Sequence, residues 1–371
     1  MILKNVRLYD ACESVNADIV IEDGKFAEIR YLESSGENPD VILPGFVDIH
    51  SHGAAGIDIF GADSERLAQM SRFYAKNGVT TLFPTTISES HDKIMRMIDE
   101  VKKACKLTKI DFAGIHLEGP YINKCKCGAH NPKMIKDINL NELEQICAAV
   151  LDCGLKLHVT LAPELDGGLD AVKYLKKRGA TVAIGHTEAS LEIINRAIEF
   201  GAVSFTHLFN AMTGAHHRDA GVAVHAINSR AYTELICDGI HVCPEVISMT
   251  ARAKGLDRII IVSDSISAAG LPEGEYELGG SAVTISNGKA VLKGTDTIAG
   301  STADLSAELD NFIKFTGASL ENALALVTRN PAECVGIYDR KGAVAVGKDA
   351  DFIIRRGGAI EEVYVKGVRV V

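Results

Sequence analysis

DSERLAQMSRFYAKNGVTTLFPTT (63–86) is the stretch whose reading decides the fold. Asp63 or Ser64 can cap a helix, because a short side-chain oxygen there accepts from a free N–H of the first turn. Leu67, Met70, Phe73 and Tyr74 recur at helical spacing, and Asn77-Gly78 closes the helix in the left-handed conformation. Val79 to Phe83 then reads as a β-branched apolar strand buried on both faces. A helix that stops at glycine and runs into such a strand is half of a parallel βα repeat.

The same unit recurs along the chain. Gly154 precedes LKLHVTLAP (155–163), Gly179 precedes ATVAIGH (180–186), Gly201 precedes AVSFTH (202–207) and Gly255 precedes LDRIIIVSD (256–264). Strands are expected at about 43–50, 79–85, 110–117, 155–161, 180–185, 202–206, 232–237 and 258–263, and eight is the number that closes a (β/α)8 barrel. The ends differ from this middle. ILKNVRLYD (2–10), ADIVIEDGKFAEIR (17–30) and AVAVGKDADFIIRRGGAIEEVYVKGVRVV (343–371) have strand composition with turn glycines. The fold class expected is therefore α/β: a (β/α)8 TIM-type barrel over 44–341, with a small β-sandwich domain assembled from both termini, 1–43 and 342–371. Residues 271–293 are expected to form a β-hairpin inserted after the eighth strand.

Composition narrows the function. The chain has 371 residues, 47% hydrophobic and 24% charged, which excludes a disordered protein or a disulfide mini-fold. Its formal charge of −10, with no clustered Lys/Arg face, argues against a nucleic-acid platform. The start MILKNVRLYD has no basic segment followed by an apolar one, and no apolar run reaches the length of a membrane span, so a cytoplasmic protein with no membrane partner is expected. The nine cysteines, Cys12 among them, fit no disulfide framework and are read as reduced. Cys125-Lys126-Cys127 lacks a second pair at zinc-ribbon spacing.

Active sites of such barrels lie at the C-terminal ends of the strands, and here those ends hold metal-ligand residue types. The first strand ends in Asp48-Ile49-His50-Ser51-His52, the third in His116-Leu117-Glu118, the fifth in Gly185-His186, the sixth in Thr206-His207 and the eighth in Ser263-Asp264. Residues i and i+2 of a strand share a face, so His50 and His52 can address one ion. Imidazoles plus a carboxylate suit zinc or another first-row divalent ion. A lone histidine after an apolar strand is more often structural, and His91, His225, His116 and His158 are read that way. Glu118, His186 and His207 taken jointly are not.

At these residues the sequence resembles the amidohydrolase superfamily, and within it the N-acetylglucosamine-6-phosphate deacetylases. The segments are PGFVDIHSHG (44–53), GIHLEGPYINKCKCGAHNP (114–132), IGHTEAS (184–190), THLFNAM (206–212), ICDGIHV (236–242), IVSDSISAAG (261–270), IAGST (298–302) and GAVAVGKDADFII (342–354). The resemblance implies hydrolysis of the acetamide of N-acetyl-D-glucosamine 6-phosphate to D-glucosamine 6-phosphate and acetate. It implies Glu118, His186 and His207 as the main metal ligands, and His50 and His52 as ligands of a second ion. The cofactor implied is one or two divalent ions per subunit, zinc first, with iron, manganese or cobalt as alternatives. Asp264 takes the place of the catalytic acid/base, which draws a proton from water and returns it to the leaving nitrogen.

By the same resemblance His130 stands beside the substrate, its N–H toward the sugar or the carbonyl oxygen. Ala129, Asn210 and Ala211 contact the substrate, and Arg218 and His241 bind it, Arg218 as the phosphate clamp with His216 and His217 alongside. Homodimerisation is implied too, with His241 or Arg218 reaching a neighbouring subunit's site. Two features depart from the family's pattern. No proline follows Arg218 in His217-Arg218-Asp219-Ala220-Gly221, and Ala303, Asp304 and Leu305 occupy a place where bulky apolar residues usually meet the substrate.

The rival readings are three. A dihydroorotase or hydantoinase would need a carboxylated lysine at the end of the fourth strand, where Lys156 stands only at the start. N-acetylgalactosamine 6-phosphate as substrate differs by one hydroxyl's orientation. A catalytically dead barrel kept for assembly predicts lost ligands, and none is lost.

Overall fold

The quoted segment folds as read. In the computed structural model, which describes residues 1–10, 13–33 and 40–371, helix Ser64–Lys76 is capped by Asp63, whose carboxylate accepts the Arg66 N–H at 2.9 Å. Leu67, Met70 and Tyr74 bury one face of that helix and Phe73 packs at its margin. Gly78, at φ +82°, turns the chain into strand Val79–Pro84, every residue of which is buried. A Cβ on Gly78 would lie 2.8 Å from the Ile353 side chain, so tight packing as well as backbone hand selects glycine there.

Eight parallel strands follow one another in chain order: Phe46–Ser51, Val79–Pro84, Gly114–Glu118, Lys156–Leu161, Thr181–Ile184, Ala202–Phe205, Tyr232–Leu235 and Ile259–Ile261. The last six form one parallel sheet, and the first two form another with Asp111–Phe112. Parallel bridges from Thr85 to His116 and from Ser51 to Ser265 link the two sheets at both edges, so the whole is a curled parallel sheet. Helices such as His91–Ala104, Leu140–Leu151, Gly168–Arg178 and Leu191–Phe200 cover it, and the largest apolar cluster lies between strands and helices.

Three elements differ from the sequence reading, one of them the third expected strand, 110–117, which is split into Asp111–Phe112 and Gly114–Glu118 in different sheets. The first expected strand, 43–50, is in fact two elements. Val41–Pro44 pairs antiparallel with Phe352–Arg356 in the terminal sheet, and Phe46–Ser51 joins Val79–Pro84. Gly45 separates them, because a Cβ there would sit 2.2 Å from Thr80 Oγ1 and the crossing admits no side chain. The insertion after the eighth strand is a three-stranded antiparallel sheet, Gly274–Leu278, Ser281–Ser286 and Lys289–Leu292, where a two-stranded hairpin was expected. A type of turn at Asn287-Gly288 with positive φ at both residues brings in the third strand.

The termini meet as expected. Seven strands lie in the order Val368–Arg369, Ala359–Val365, Phe352–Arg356, Val41–Pro44, Ile2–Asp10, Glu13–Glu22 and Lys25–Leu32. The sheet curls so that the turn at Gly24 touches the turn at Lys366, and Leu8, Ile19, Phe26, Ile42 and Phe352 fill its inside. Cys12 lies outside the described residues, and the other eight cysteines are free thiols, as the reading expects. Among the described residues, no helix is long and apolar enough to cross a membrane.

One buried ion cluster ties the terminal sheet to the parallel strands. Lys341, 1% exposed, reaches Asp111 at 3.1 Å, Asp349 at 3.0 Å and Asp351 at 2.6 Å, and Arg340 also contacts Asp111 and Asp349. Burial alone would push the Asp111 carboxyl up, but Lys341 and Arg340 outweigh it and hold the group at about 2 against an ordinary 3.8. A carboxylate depressed in the folded state stabilises fully above its unfolded value and loses that stabilisation as pH falls through its folded one. Lys341→Met should therefore cost about 3–5 kcal/mol at neutral pH, by leaving buried carboxylates short of a counter-charge. In urea denaturation the gap between variant and parent should narrow between pH 4 and 2; a midpoint unchanged at pH 7 would show that Lys341 does not hold the two sheets together.

Candidate metal centre and substrate cavity

The strand ends bring two groups of buried ligand atoms together: Glu118, His186 and His207 in one, His50, His52 and Asp264 in the other, each within 4.8 Å of one another. Glu118 faces both. Its Oε1 is 3.2 Å from His186 Nε2 and 3.0 Å from His207 Nε2, and its Oε2 is 3.2 Å from His52 Nε2. Asp264 Oδ1 stands 3.3 Å from His52 Nε2 and 3.4 Å from His50 Nε2. His50 and His52 lie on one face, their Nε2 atoms 3.3 Å apart.

Backbone conformation aims these groups. His186, His207 and Asp264 have φ of +49°, +29° and +45°, and Ala211 has +50°. Non-glycine residues in this region cost of order 1–3 kcal/mol each and persist only where the surroundings fix them. At Asp264 the fixing is visible: its N–H donates to His50 O at 2.9 Å, and its carbonyl accepts from Ser301 N–H at 2.8 Å. Each strand has ended one or two residues earlier, and the left-handed residue turns its side chain across the mouth.

Electrostatics follows from burial and crowding. Burial, reinforced by His130 and His207, pulls the His186 imidazole down to about 4, leaving it neutral with a free lone pair. Burial would raise the Asp264 carboxyl, but His50 and His52 outweigh it and hold Asp264 at about 2. Glu118 is likewise driven well below the carboxylate range, burial being overcome by His50 and by the hydrogen bonds of His130, His186 and His207. Two ionised carboxylates thus share a pocket with a neutral imidazole.

The donor set fits a divalent cation. His186 Nδ1–H donates to Lys126 O at 2.7 Å, which leaves its Nε2 lone pair facing His207 Nε2 at 3.0 Å. His207 Nδ1 is buried with no hydrogen-bond partner. A neutral imidazole's lone pair beside a carboxylate attracts a cation, and neutral imidazole with carboxylate is the donor chemistry of zinc and its neighbours.

A cavity of about 280 Å³ opens over these groups, lined by His52, Glu118, His186, His207 and Asp264 together with Ala129, His130, Asn210, Ala211 and His241. His130 is oriented by Ser88, whose N–H donates to His130 Nδ1 at 3.0 Å; the ring proton therefore sits on Nε2, 3.2 Å from Glu118 Oε2. His241 Nδ1 bonds Asp238 Oδ2 at 2.7 Å, directing its other nitrogen toward the cavity.

Four expected residues are not brought to this cavity. Ala303, Asp304 and Leu305 do not line it: Asp304 caps helix Leu305–Thr316 by accepting the Ala307 N–H, and Leu305 is buried in the main apolar cluster. The chain nearest the cavity there is Thr297, Ile298 and Gly300 instead. Arg218 is exposed on the small turn between Ala215–His216 and Asp219–Ala220, stacked beside His217 with Nη1 at 2.6 Å from Nε2. Sequence reasoning missed the apolar wall of Ile87, Leu278 and Ile298, for which apolar composition gave no signal. It also missed Glu234, a fully buried carboxylate beneath His50 whose burial no local feature of YTEL (232–235) marks. Lys156 opens its strand next to Gly336, far from the ligand end, as read.

Comparison with known proteins agrees with this arrangement. The amidohydrolase family matches residues 41–370. The N-acetylglucosamine-6-phosphate deacetylase of Bacillus subtilis is 34% identical over 371 aligned positions, covering 95% of this chain and 92% of its own. An N-acetylgalactosamine-6-phosphate deacetylase of Escherichia coli O157:H7 is 31% identical over 94% of this chain and 93% of its own. A mutant N-acetyl-D-glucosamine-6-phosphate deacetylase of Mycobacterium smegmatis, solved in complex with N-acetyl-D-glucosamine-6-phosphate, superposes with a TM-score of 0.91 at 30% identity, covering 100% of this chain and 99% of that one. With the family model spanning nearly the whole chain, this protein belongs to the amidohydrolase family.

Proposed function

We propose that the protein hydrolyses N-acetyl-D-glucosamine 6-phosphate to D-glucosamine 6-phosphate and acetate. The observation that carries the reading is Asp264, an ionised carboxylate beside the Glu118, His186 and His207 group in the lining of one cavity of about 280 Å³. Relatives that act on this substrate or its galacto epimer support it. The scaffold in this reading is a (β/α)8 barrel over 44–341 with a β-sandwich from 1–43 and 342–371, supported by the curled eight-strand sheet and the curled terminal sheet.

Glu118, His186 and His207 would hold one divalent cation, zinc first among zinc, iron, manganese and cobalt, and His50, His52 and Asp264 a second. A divalent cation at this place polarises an amide carbonyl and acidifies water toward a pKa of about 7. Asp264 takes the proton from the attacking water as the C–O bond forms. It then delivers that proton to the nitrogen as the C–N bond breaks, which frees the amine and acetate. His130 Nε2–H stands at the rim to donate to the carbonyl oxygen as negative charge develops. Ala129, Asn210 and Ala211 line the cavity at the sugar's side, and the wall of Ile87, Leu278 and Ile298 offers the acetyl methyl an apolar surface.

The phosphate raises a separate question. No lysine or arginine is among the cavity's lining residues, and His241 is the one basic group at that end beyond the ligand imidazoles and His130. In this reading Arg218, exposed on its turn beside His217, supplies the guanidinium to the cavity of a second copy in a cytoplasmic homodimer that binds neither nucleic acid nor membrane. On this reading Arg218→Ala raises KM sharply for the phosphorylated sugar and little for N-acetylglucosamine. Mixing Arg218→Ala with Asp264→Asn, at a substrate concentration well below the raised KM where each alone turns over slowly, should raise activity through hybrid dimers; no gain on mixing would confine Arg218 to its own subunit.

Acetate release is the direct test, with N-acetylglucosamine 6-phosphate beside its galacto epimer and the unphosphorylated sugar. Preference for the first is expected, and preference for the epimer would transfer the protein to the second substrate. Asp264→Asn should lower kcat by about 10²- to 10⁴-fold with KM little changed, since a positioned acid/base contributes on that order. Stripping the protein with a chelator should lower its melting temperature, and restoring Zn²⁺ at about 100 times Kd should return roughly 2.7 kcal/mol. Glu118→Gln should abolish that return.

A further inference from the structure

We infer that Glu234 is a positioning residue that holds His50 for a second cation, so that the Glu234–His158 pair beneath the cavity decides whether the protein carries one cation or two. The inference rests on the reading that the two donor groups take divalent ions. Glu234 lies on strand Tyr232–Leu235 and is fully buried, as are His50 and His158. Its Oε2 is 3.2 Å from His50 Nδ1 and its Oε1 is 3.4 Å from His158 Nε2. An ionised carboxylate only accepts, so both imidazoles donate to it. His50 then carries a proton on Nδ1, which leaves Nε2, facing His52 and Asp264, as the atom that would meet a cation. His158, with its proton on Nε2, accepts the Thr181 hydroxyl on Nδ1 at 2.8 Å, which closes the chain of bonds.

The two groups of ligands differ in what stands behind them. His186 donates to a backbone carbonyl and His207 Nδ1 has no partner, whereas His50 alone is backed by a carboxylate. A carboxylate behind a ligand imidazole fixes its tautomer and raises its basicity, and loss of such a partner typically weakens metal affinity 10- to 100-fold. Glu234 also adds a negative charge on the side of His50, His52 and Asp264.

Glu234→Gln tests this without changing volume, because a glutamine can accept from one imidazole but its amide N–H faces the other. Zn²⁺ alone is titrated calorimetrically into chelator-stripped protein, with metal content assayed on the same samples. The parent should take two equivalents in two steps. In Glu234→Gln one step should weaken about 10- to 100-fold while the other is unchanged. His158→Gln, which keeps the Glu234–His50 bond, should weaken the same step by less, and it answers the question should Glu234→Gln fail to fold. A parent that takes one equivalent, a variant that keeps both affinities, or equal weakening of both steps would overturn the inference. These isotherms need no substrate, so two intact steps with no acetate from any amino sugar would sink the substrate assignment and leave the role of Glu234 standing.

Discussion

The carboxylate of Glu118 lies within 3.4 Å of nitrogens from five imidazoles, those of His50, His52, His130, His186 and His207, and is 2% exposed. Much of the surrounding chain is arranged around that crowding. The five rings come from four places in the sequence, and only a curled parallel sheet whose strands end at one rim brings them together. Three of the residues that meet there, His186, His207 and Asp264, sit in left-handed backbone, which a free loop would relax. Pairing of adjacent strands, the Asp264–His50 and Ser301–Asp264 backbone bonds, and covering helices supply the restraint.

The sequence made most of this rim legible because strand ends are marked twice. A glycine stop and an apolar run locate each strand, and a polar residue immediately after the run stands at the mouth. That logic found Glu118, His186, His207, Asp264 and the His50/His52 pair, since each departs from an otherwise unbroken apolar stretch. It also placed the unit at 63–86 to within a residue, with Asp63 one of the two caps it offered. One boundary moved for a tertiary reason. Gly45 splits one expected strand because Thr80 crosses it, and no local propensity records a neighbour thirty-five positions away.

What stayed illegible was whatever depends on the path of a loop or on the inside of a strand. Ala303, Asp304 and Leu305 were assigned by resemblance to the cavity, yet Asp304 serves as a helix cap, a role its residue type favours strongly. The cavity takes Thr297, Ile298 and Gly300 from just before instead. Arg218 was assigned by chemistry, since a phosphate needs a guanidinium, and chemistry does not say which copy of the chain it serves. Glu234 was hidden in a short strand where an acidic residue reads as an exposed one; only its three-dimensional neighbours, two histidines on other strands, identify it as buried.

These misses share a cause with the hits. A ligand is recognised in sequence by residue type, because a metal accepts few donors, whereas a supporting group is recognised only by what it touches. His130 illustrates the difference within one residue. Its presence at the cavity followed from motif, but the proton on Nε2 follows from Ser88, whose N–H occupies Nδ1 from forty-two positions away. The same holds for His50 and Glu234, where the partner decides which nitrogen is offered. The chemistry of the rim is therefore written in two layers, donors that the sequence names and partners that set each donor's tautomer, and the second layer exists only once the strands have closed on one another.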